Sequence, residues 1–357
     1  MKRVRSLMDG EQRLSAFDGD GMQARSLADE NIDKRRTLVT MLALLAAPRA
    51  AFGQQAPKVY RIGVLEVVSQ ALNAACFDAF RQGLRELGYI EGKNLTIEYR
   101  SADGRADRFP RLAAELISLK VDVIVTRGTP AAQAAKKATG SIPIVMAAIG
   151  DPIGVGVVAN LARPGGNVTG LSAFVTVLSA KRVQMLKELL PELKLVAALL
   201  NMGNPFSPPQ WKEIEAGARS LGMGAQLLDA RKPEDIEPLF DAAIKRRAGA
   251  VIVSPDGLLQ AQRQLIIDTA SKHRLPTMFP SREFVDDGGM ISYGVSYPDL
   301  YHRAAGLVDK IFKGTRPSEI PVEQPMRLDL AVNLKTVAAL GIGIPPSLML
   351  QVDHVVK

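Results

Sequence analysis

The chain has 357 residues, 47% of them hydrophobic, with 30 glycines, 22 prolines and a net charge of +8, enough for a large core and more comfortable as two domains than as one. A single cysteine, Cys76, excludes an internal disulfide, and His273, His302 and His354 form no zinc-spaced cluster with it. The basic residues are scattered and aromatics make up only 5%, which argues against nucleic acid as a partner.

Residues 1–33 are polar and mixed in charge, with a glycine-rich Asp18-Gly-Asp-Gly21, and read as a disordered extension or a misassigned start; Met22 gives a more usual beginning. Lys34-Arg-Arg36 then precedes the short apolar run 37–47, and Ala51 and Gly53 stand at the −3 and −1 positions of a cut before Gln54. Residues 34–53 therefore read as a signal peptide. The apolar run is too short to span a bilayer, and no cysteine sits at the cut to carry a lipid. The expected product is a chain released into a bacterial periplasm, with no membrane anchor.

After Pro57, strand-like and helix-like segments alternate, the pattern of an α/β protein with parallel sheets. Strands are expected at 59–65, 95–99, 121–126 and 143–147, with helices at 77–87, 108–119 and 130–138. From residue 195 the order restarts, with strands at 195–200, 224–228, 250–254 and 276–279 and helices at 208–221, 236–246 and 260–272. Landmarks repeat at a near-constant offset: Leu87-Gly88 matches Leu221-Gly222, and Ile142-Pro143 matches Leu275-Pro276. Two similarly built, doubly wound parallel-sheet lobes follow. Residues 58–171 plus 296–318 form lobe one, and 174–294 plus 320–357 form lobe two. Crossings near 170–174, 288–294 and 320–325 make a three-segment hinge, a known device for closing around a ligand.

The run 121–126 followed by Arg127-Gly-Thr-Pro130 suggests a buried strand ending in a helix start, with Thr129 as N-cap and Pro130 at the first helical position. Such a turn gathers free backbone N–H groups and the positive end of a helix dipole. If two lobes of this kind face each other, the loops beyond their strand ends line one cleft.

At this point the residues resemble a known family. Phe80-Arg-Gln-Gly-Leu-Arg-Glu-Leu-Gly-Tyr89, Asn94-Leu-Thr-Ile-Glu-Tyr-Arg100 and Gly128-Thr-Pro-Ala-Ala132 look like periplasmic solute-binding proteins of ABC importers. So do Asp151-Pro152, Ala162-Arg-Pro-Gly-Gly-Asn-Val-Thr-Gly170, Arg282-Glu-Phe-Val285, Ser292-Tyr-Gly294 and Asn333-Leu-Lys-Thr336. The group is the ABC substrate-binding family that includes tryptophan- and tyrosine-binding members, and the resemblance runs from about Tyr60 to the C-terminus. It implies a type I periplasmic-binding fold, a ligand held between the lobes, and delivery to a permease and its ATPase in the inner membrane.

Candidate ligand groups follow. Thr126, Gly128 and Thr129 suit a carboxylate. Asp256, in the corresponding turn of lobe two, could hold an ammonium group or serve as a plain Asp-Gly turn residue. Asp151 either faces the cleft or caps the segment starting at Pro152. Asn201 and Asn204 end the first strand of lobe two and offer both donor and acceptor, and Ser69 and Gln70 hold the matching place in lobe one. Arg282 and Glu283 bridge the lobes on closure. Phe174 and Tyr293 lie in the crossings, where an aromatic ring lids the cleft or packs within the hinge.

The string Gly154-Val-Gly-Val-Val-Ala159 mimics a dinucleotide fingerprint but follows a proline-containing loop and lacks the acid some twenty residues on. No nucleophile elbow or Walker loop is present, and neither metal nor cofactor is expected. The expected function is capture of a small solute by a monomer: a zwitterion fits best, with its carboxylate at Thr129 and its amine at Asp256, and the resemblance implies an aromatic amino acid, with hydrophobic amino acids and small carboxylates left open. The rival is an exported two-lobed α/β enzyme such as a racemase or hydrolase. It needs an acid/base pair or an activated nucleophile in the cleft. Cys76 reads as a packed helix residue and no histidine falls in a strand-end loop, so that pair is hard to find.

Overall fold

A computed structural model describes residues 58–173 and 175–357. The segments 1–33 and 34–53 and the candidate Phe174 lie outside the described residues.

Long apolar runs bury strands on both faces, as parallel sheets require. The first sheet consists of β1 (Tyr60–Glu66), β2 (Leu95–Ser101), β3 (Val123–Arg127), β4 (Ile144–Ile149) and β5 (Val168–Ser172), ordered β2-β1-β3-β4-β5 and all parallel, with the more polar β2 half-buried on its edge. Between them run α1 (Ala74–Glu86), α2 (Phe109–Ser118) and α3 (Thr129–Ala138). The second half continues with α4 (Val175–Leu189), β6 (Leu195–Leu200), α5 (Ser207–Ser220), β7 (Gly224–Asp229), α6 (Ile236–Lys245) and β8 (Ala250–Val253). Then come α7 (Gly257–Ala261), α8 (Arg263–Lys272), β9 (Thr277–Phe279), α9 (Arg282–Asp286) and β10 (Ile291–Val295). The chain ends with α10 (Tyr297–Phe312), β11 (Leu328–Asn333), α11 (Leu334–Leu340), α12 (Pro346–Met349) and β12 (His354–Val356). The second sheet runs β12-β11-β10-β9-β8-β6-β7.

Each sheet is covered on both faces. In lobe one, α1 and α10 bury one face around Phe77, Phe80, Tyr301 and Val308, and α2 and α3 bury the other around Phe109, Leu116 and Ala132. In lobe two, α4, α5 and α11 close over Val183, Leu186, Ile214 and Val337, and α6 and α8 over Phe240 and Ile266. The spacing of Phe77, Phe80 and Leu84 on α1 is the 3–4 residue period that turns one helix stripe inward.

The connections between the halves run side by side. β5 leads into α4, β10 leads into α10, and Glu323 bonds along β5 before the chain enters β11: Ser172 N–H donates to Glu323 O at 2.9 Å and Glu323 N–H to Gly170 O at 2.9 Å.

Three expectations change. The second sheet is not wholly parallel, because β10 and β11 are antiparallel. The stretches 170–174 and 288–294 are not simply crossings: they contribute most of β5 and β10, and the chain crosses only beyond those strands. Finally, β3 runs on through Arg127, and α3 begins at Thr129, one residue earlier than expected. Gly128, at φ +83°, takes the N-cap place because a left-handed backbone there makes the turn within one residue. No side chain caps this helix, and Thr129 stands inside its first turn.

Candidate functional site

The carboxyl ends of β1, β3 and β4 in lobe one and of β6 and β8 in lobe two open onto one cavity. Lobe one contributes Arg127, Gly128, Thr129 and Gly150; lobe two contributes Asn201, Asn204, Phe206, Asp256 and Gln260; Tyr297, just past the β10 crossing, completes the wall. The lobes touch around it. Gly150 packs on the Phe206 ring, Gly257 on Val67 and Gly104 on Leu258 and Ala261, while Arg263 Nη1 donates to Leu72 O at 3.2 Å.

The lobe-one turn brings an unpartnered hydroxyl to the cavity. Gly128 N–H is spent on Ala148 O at 2.8 Å, so the glycine itself shapes the turn rather than offering a donor to the cavity. Thr129 is 1% exposed, and its Oγ1 has no hydrogen-bond partner among the described residues. Because it is not the cap, its hydroxyl is not consumed by its own helix. Thr126 Oγ1 is also buried and unpartnered but lies outside the cavity lining.

Arg127 is buried at the same turn. Its Nη1 donates to Asn73 Oδ1 at 3.0 Å, and its guanidinium lies 4.2 Å over the Tyr297 ring. Asn73 Nδ2 donates to Glu66 Oε2 at 3.0 Å, Tyr301 O–H donates to the same oxygen, and Val67 N–H donates to Glu66 Oε1 at 2.8 Å. Burial pushes the Glu66 carboxyl above the usual range, against the opposing pull of the Arg127 charge and the Tyr301 hydroxyl.

The lobe-two turn carries an acid already surrounded by donors. Asp256 is the N-cap of α7 and accepts from Leu258 N–H at 2.8 Å. Asn201 Nδ2 donates to Oδ1 at 3.2 Å and Asn204 Nδ2 to Oδ2 at 2.8 Å. Burial raises the Asp256 pKa, and these hydrogen bonds temper the rise. Asn204 Oδ1 is buried without a partner among the described residues. The cavity thus joins an open cationic and hydroxylic wall to an acidic, prearranged one.

The model of the ABC transporter substrate binding protein family matches residues 61–356. The chain belongs to that family. Its two-lobed architecture is the type I periplasmic-binding fold. The substrate-binding protein is 25% identical over 283 residues to a tyrosine-binding protein of Clostridioides difficile (strain R20291), covering 79% of this chain and 81% of that one. It is similar to the ABC domain from Streptococcus pneumonia in complex with L-Trp: 27% identity, 83% of this chain and 99% of the other, TM-score 0.77. The ligand-free, open structure of a substrate binding protein with adhesive properties from Clostridium difficile aligns with a TM-score of 0.61 at 26% identity, over 84% and 100% of the two chains. Proteins of this family act outside the cytoplasm and serve a transporter by binding a small molecule.

In this substrate-binding protein the remaining sequence candidates lie off the cavity wall. Ser69 Oγ accepts from Leu72 N–H at 3.3 Å in its own turn, and Gln70 is exposed. Asp151 Oδ1 accepts from Gly154 N–H at 2.9 Å and closes a local turn. Arg282 is exposed and pairs with Asp286 at 3.1 Å; its neighbour Glu283 is the one that reaches across to lobe one, where the Cys76 thiol donates to Oε1 at 3.8 Å. Tyr293 packs between the cores of the two lobes, and its carbonyl accepts from Arg182 Nε at 2.7 Å.

Arg127 and Tyr297 are among the wall residues that escaped the sequence reading. A lone arginine closing an apolar strand was the available signal for the first, since a charge is seldom buried without purpose. Tyr297 carried none: a tyrosine beside a proline at a helix start looks like ordinary packing.

Proposed function

We propose that this protein captures an aromatic amino acid between its lobes and presents the closed form to a membrane permease driven by an ATPase, without changing the ligand chemically. The observation that carries the reading is the cavity walled from both lobes by the two strand-end turns, one offering Thr129 and the other Asp256. The ligand carboxylate sits against the Thr129 hydroxyl and the first-turn N–H groups of α3, and the ammonium sits against Asp256. A ligand that contacts both lobes lowers the free energy of the closed state relative to the open one, which is the signal the transporter reads.

The relatives support the ligand class: one is a tyrosine-binding protein and another was crystallised with L-Trp. The higher similarity to the L-Trp complex than to the ligand-free open structure, at nearly equal identity, fits lobes set for a bound ligand. Export is supported by the basic and apolar pattern at 34–53. Catalysis is disfavoured by its side chains. Cys76 is buried and burial pushes its thiol up, while His273, His302 and His354 pair with Asp241, Glu86 and Asp286 away from the cavity.

Thermal-shift and calorimetric titration with L-tyrosine, L-tryptophan and L-leucine tests this. A stabilisation that grows with ligand concentration, and recovery of the ligand unchanged, are the expected results. Absence of binding by all three would overturn the amino-acid reading, and a chemically altered ligand would revive the enzyme.

A further inference from the structure

We infer that Arg127 is the principal counter-charge for the ligand, which makes the cleft a reader of carboxylates in which the ammonium group is secondary. This deepens the reading above and rests on it.

Arg127 is 6% exposed and lines the cavity, and its guanidinium is held from two sides, by Asn73 Oδ1 at 3.0 Å and by the Tyr297 ring at 4.2 Å. Its bond to Asn73 is its single side-chain hydrogen bond among the described residues, and that acceptor is neutral. An arginine carries five N–H donors in a rigid fork, stays charged in proteins, and matches a carboxylate bidentately. A buried cation that spends one donor on an amide therefore leaves a demand that an anion entering the cavity can meet. Glu66 does not meet it directly: its two oxygens are taken by Val67 N–H, Asn73 Nδ2 and Tyr301 O–H, and it acts on Arg127 through space. Asn73 is the shared joint of this network, since its Oδ1 accepts from Arg127 while its Nδ2 donates to Glu66. The arrangement fixes where the guanidinium stands before any ligand arrives.

The opposite wall differs. Asp256 already accepts from Asn201, Asn204 and the Leu258 N–H, so an arriving ammonium finds a carboxylate whose hydrogen bonds are largely made. An anion gains more at Arg127 than a cation gains at Asp256. Selectivity follows: an aromatic acid without an amine should enter, and an aromatic amine without an acid should not.

Isothermal titration with L-tryptophan, indole-3-propionate and tryptamine separates these terms in the unmodified protein. Binding of L-tryptophan and indole-3-propionate, with tryptamine at least tenfold weaker than either, is the expected result. Arg127→Gln should weaken L-tryptophan about a hundredfold, the usual scale for removing one partner of a buried charged pair. Arg127→Lys should recover part of that, keeping the charge but not the fork. If tryptamine binds the unmodified protein as tightly as indole-3-propionate, or if Arg127→Gln weakens tryptamine and L-tryptophan equally, the inference falls while the cleft remains an amino-acid site. If neither L-tryptophan nor L-tyrosine binds the unmodified protein, the proposed function falls and this inference with it. The first comparison needs no variant, so a misfolded Arg127→Gln protein leaves the test intact.

Discussion

The turn after β3 and the turn after β8 occupy equivalent places in the two lobes, yet they are finished in opposite ways. At Arg127-Gly-Thr129 the polar groups are left open: a hydroxyl without a partner among the described residues and a guanidinium with one neutral acceptor. At Asp256 the carboxylate already accepts from two asparagine amides and one backbone N–H, and on that wall Asn204 Oδ1 is left without a partner among the described residues. One wall is completed by what binds; the other has its carboxylate held beforehand. The same βα scaffold therefore yields an adaptable donor surface on one lobe and a rigid acceptor on the other. The largest mutational effects on stability and on binding should accordingly fall on different lobes.

The strongest break is expected at the finished wall. Asp256→Ala removes the acceptor for two buried donors and one half-buried donor at once, and stranding buried donors costs about 1–3 kcal/mol each when no water replaces the partner. With partial relief by water entering the cavity, a loss of about 3 kcal/mol in unfolding free energy is expected from urea denaturation of the ligand-free protein. Asp256→Asn keeps one carbonyl acceptor and should lose less than half of that. Equal stability for Asp256→Ala and the unmodified protein would mean that the asparagine amides hold to Asp256 only incidentally.

The place of these two turns could be read from the residues alone, because it follows from local rules. The repeated order of strands, the offset between Leu87-Gly88 and Leu221-Gly222, and the rule that ligands gather beyond strand ends led to Thr129, Asn201, Asn204 and Asp256. What stayed hidden depends on distant partners. Arg127 acquires its meaning from Asn73, 54 residues earlier, and from Tyr297, which only the crossing after β10 brings close. The strands β10, β11 and β12 were missed for another reason. β10 is short and follows two glycines, and β11 alternates Leu328, Leu330 and Val332 with Asp329 and Asn333 beside a proline-rich approach, so neither has the unbroken apolar run of a central strand. The one-residue shift at α3 came from treating Thr129 as a cap, when a glycine that reaches φ +83° makes a side-chain cap unnecessary.

That glycine gives the second test, on the open wall. A Cβ at Gly128 would meet Val67 Cγ1 at 3.1 Å and would have to sit at positive φ. Left-handed backbone costs an L-residue about 1–2 kcal/mol. Gly128→Ala should therefore lower stability by that amount and, because the turn carries Arg127 on one side and Thr129 on the other, weaken L-tryptophan binding as well. Paired measurement of melting and titration checks both; a destabilised variant with unchanged affinity would show that the turn does not touch the ligand.

A third, milder effect is in pH. Burial raises the Asp256 pKa, so in the ligand-free protein this carboxyl holds its proton to a higher pH than an ordinary aspartate, whose value is about 3.9. An ammonium ligand must compete with that proton. Affinity for L-tryptophan should therefore fall on acidification through the raised pKa, before ordinary aspartates titrate, with up to a tenfold loss per pH unit below it. The stability of the ligand-free protein should move the other way. A raised folded pKa contributes stability that is full below the unfolded value and lost as pH rises through the folded one. Asp256→Asn should flatten the Asp256 share of both profiles. An affinity that slopes equally in the unmodified protein and in Asp256→Asn would assign the effect to another group.

The smallest change isolates a single hydroxyl. Thr129→Val keeps the branched shape inside the first turn of α3 and deletes only Oγ1, which is buried and unpartnered among the described residues. In the ligand-free protein that deletion removes a polar atom with no bond to lose, so unfolding free energy should stay level or rise by up to about 1 kcal/mol. In the complex the same atom is asked to donate to the ligand carboxylate, and its loss should weaken binding by about 1 kcal/mol, roughly fivefold. Opposite signs for stability and affinity are what a donor reserved for the ligand produces. A hydroxyl that served packing or an unseen partner within the protein would lower both together, and the open wall would then be no more open than its counterpart.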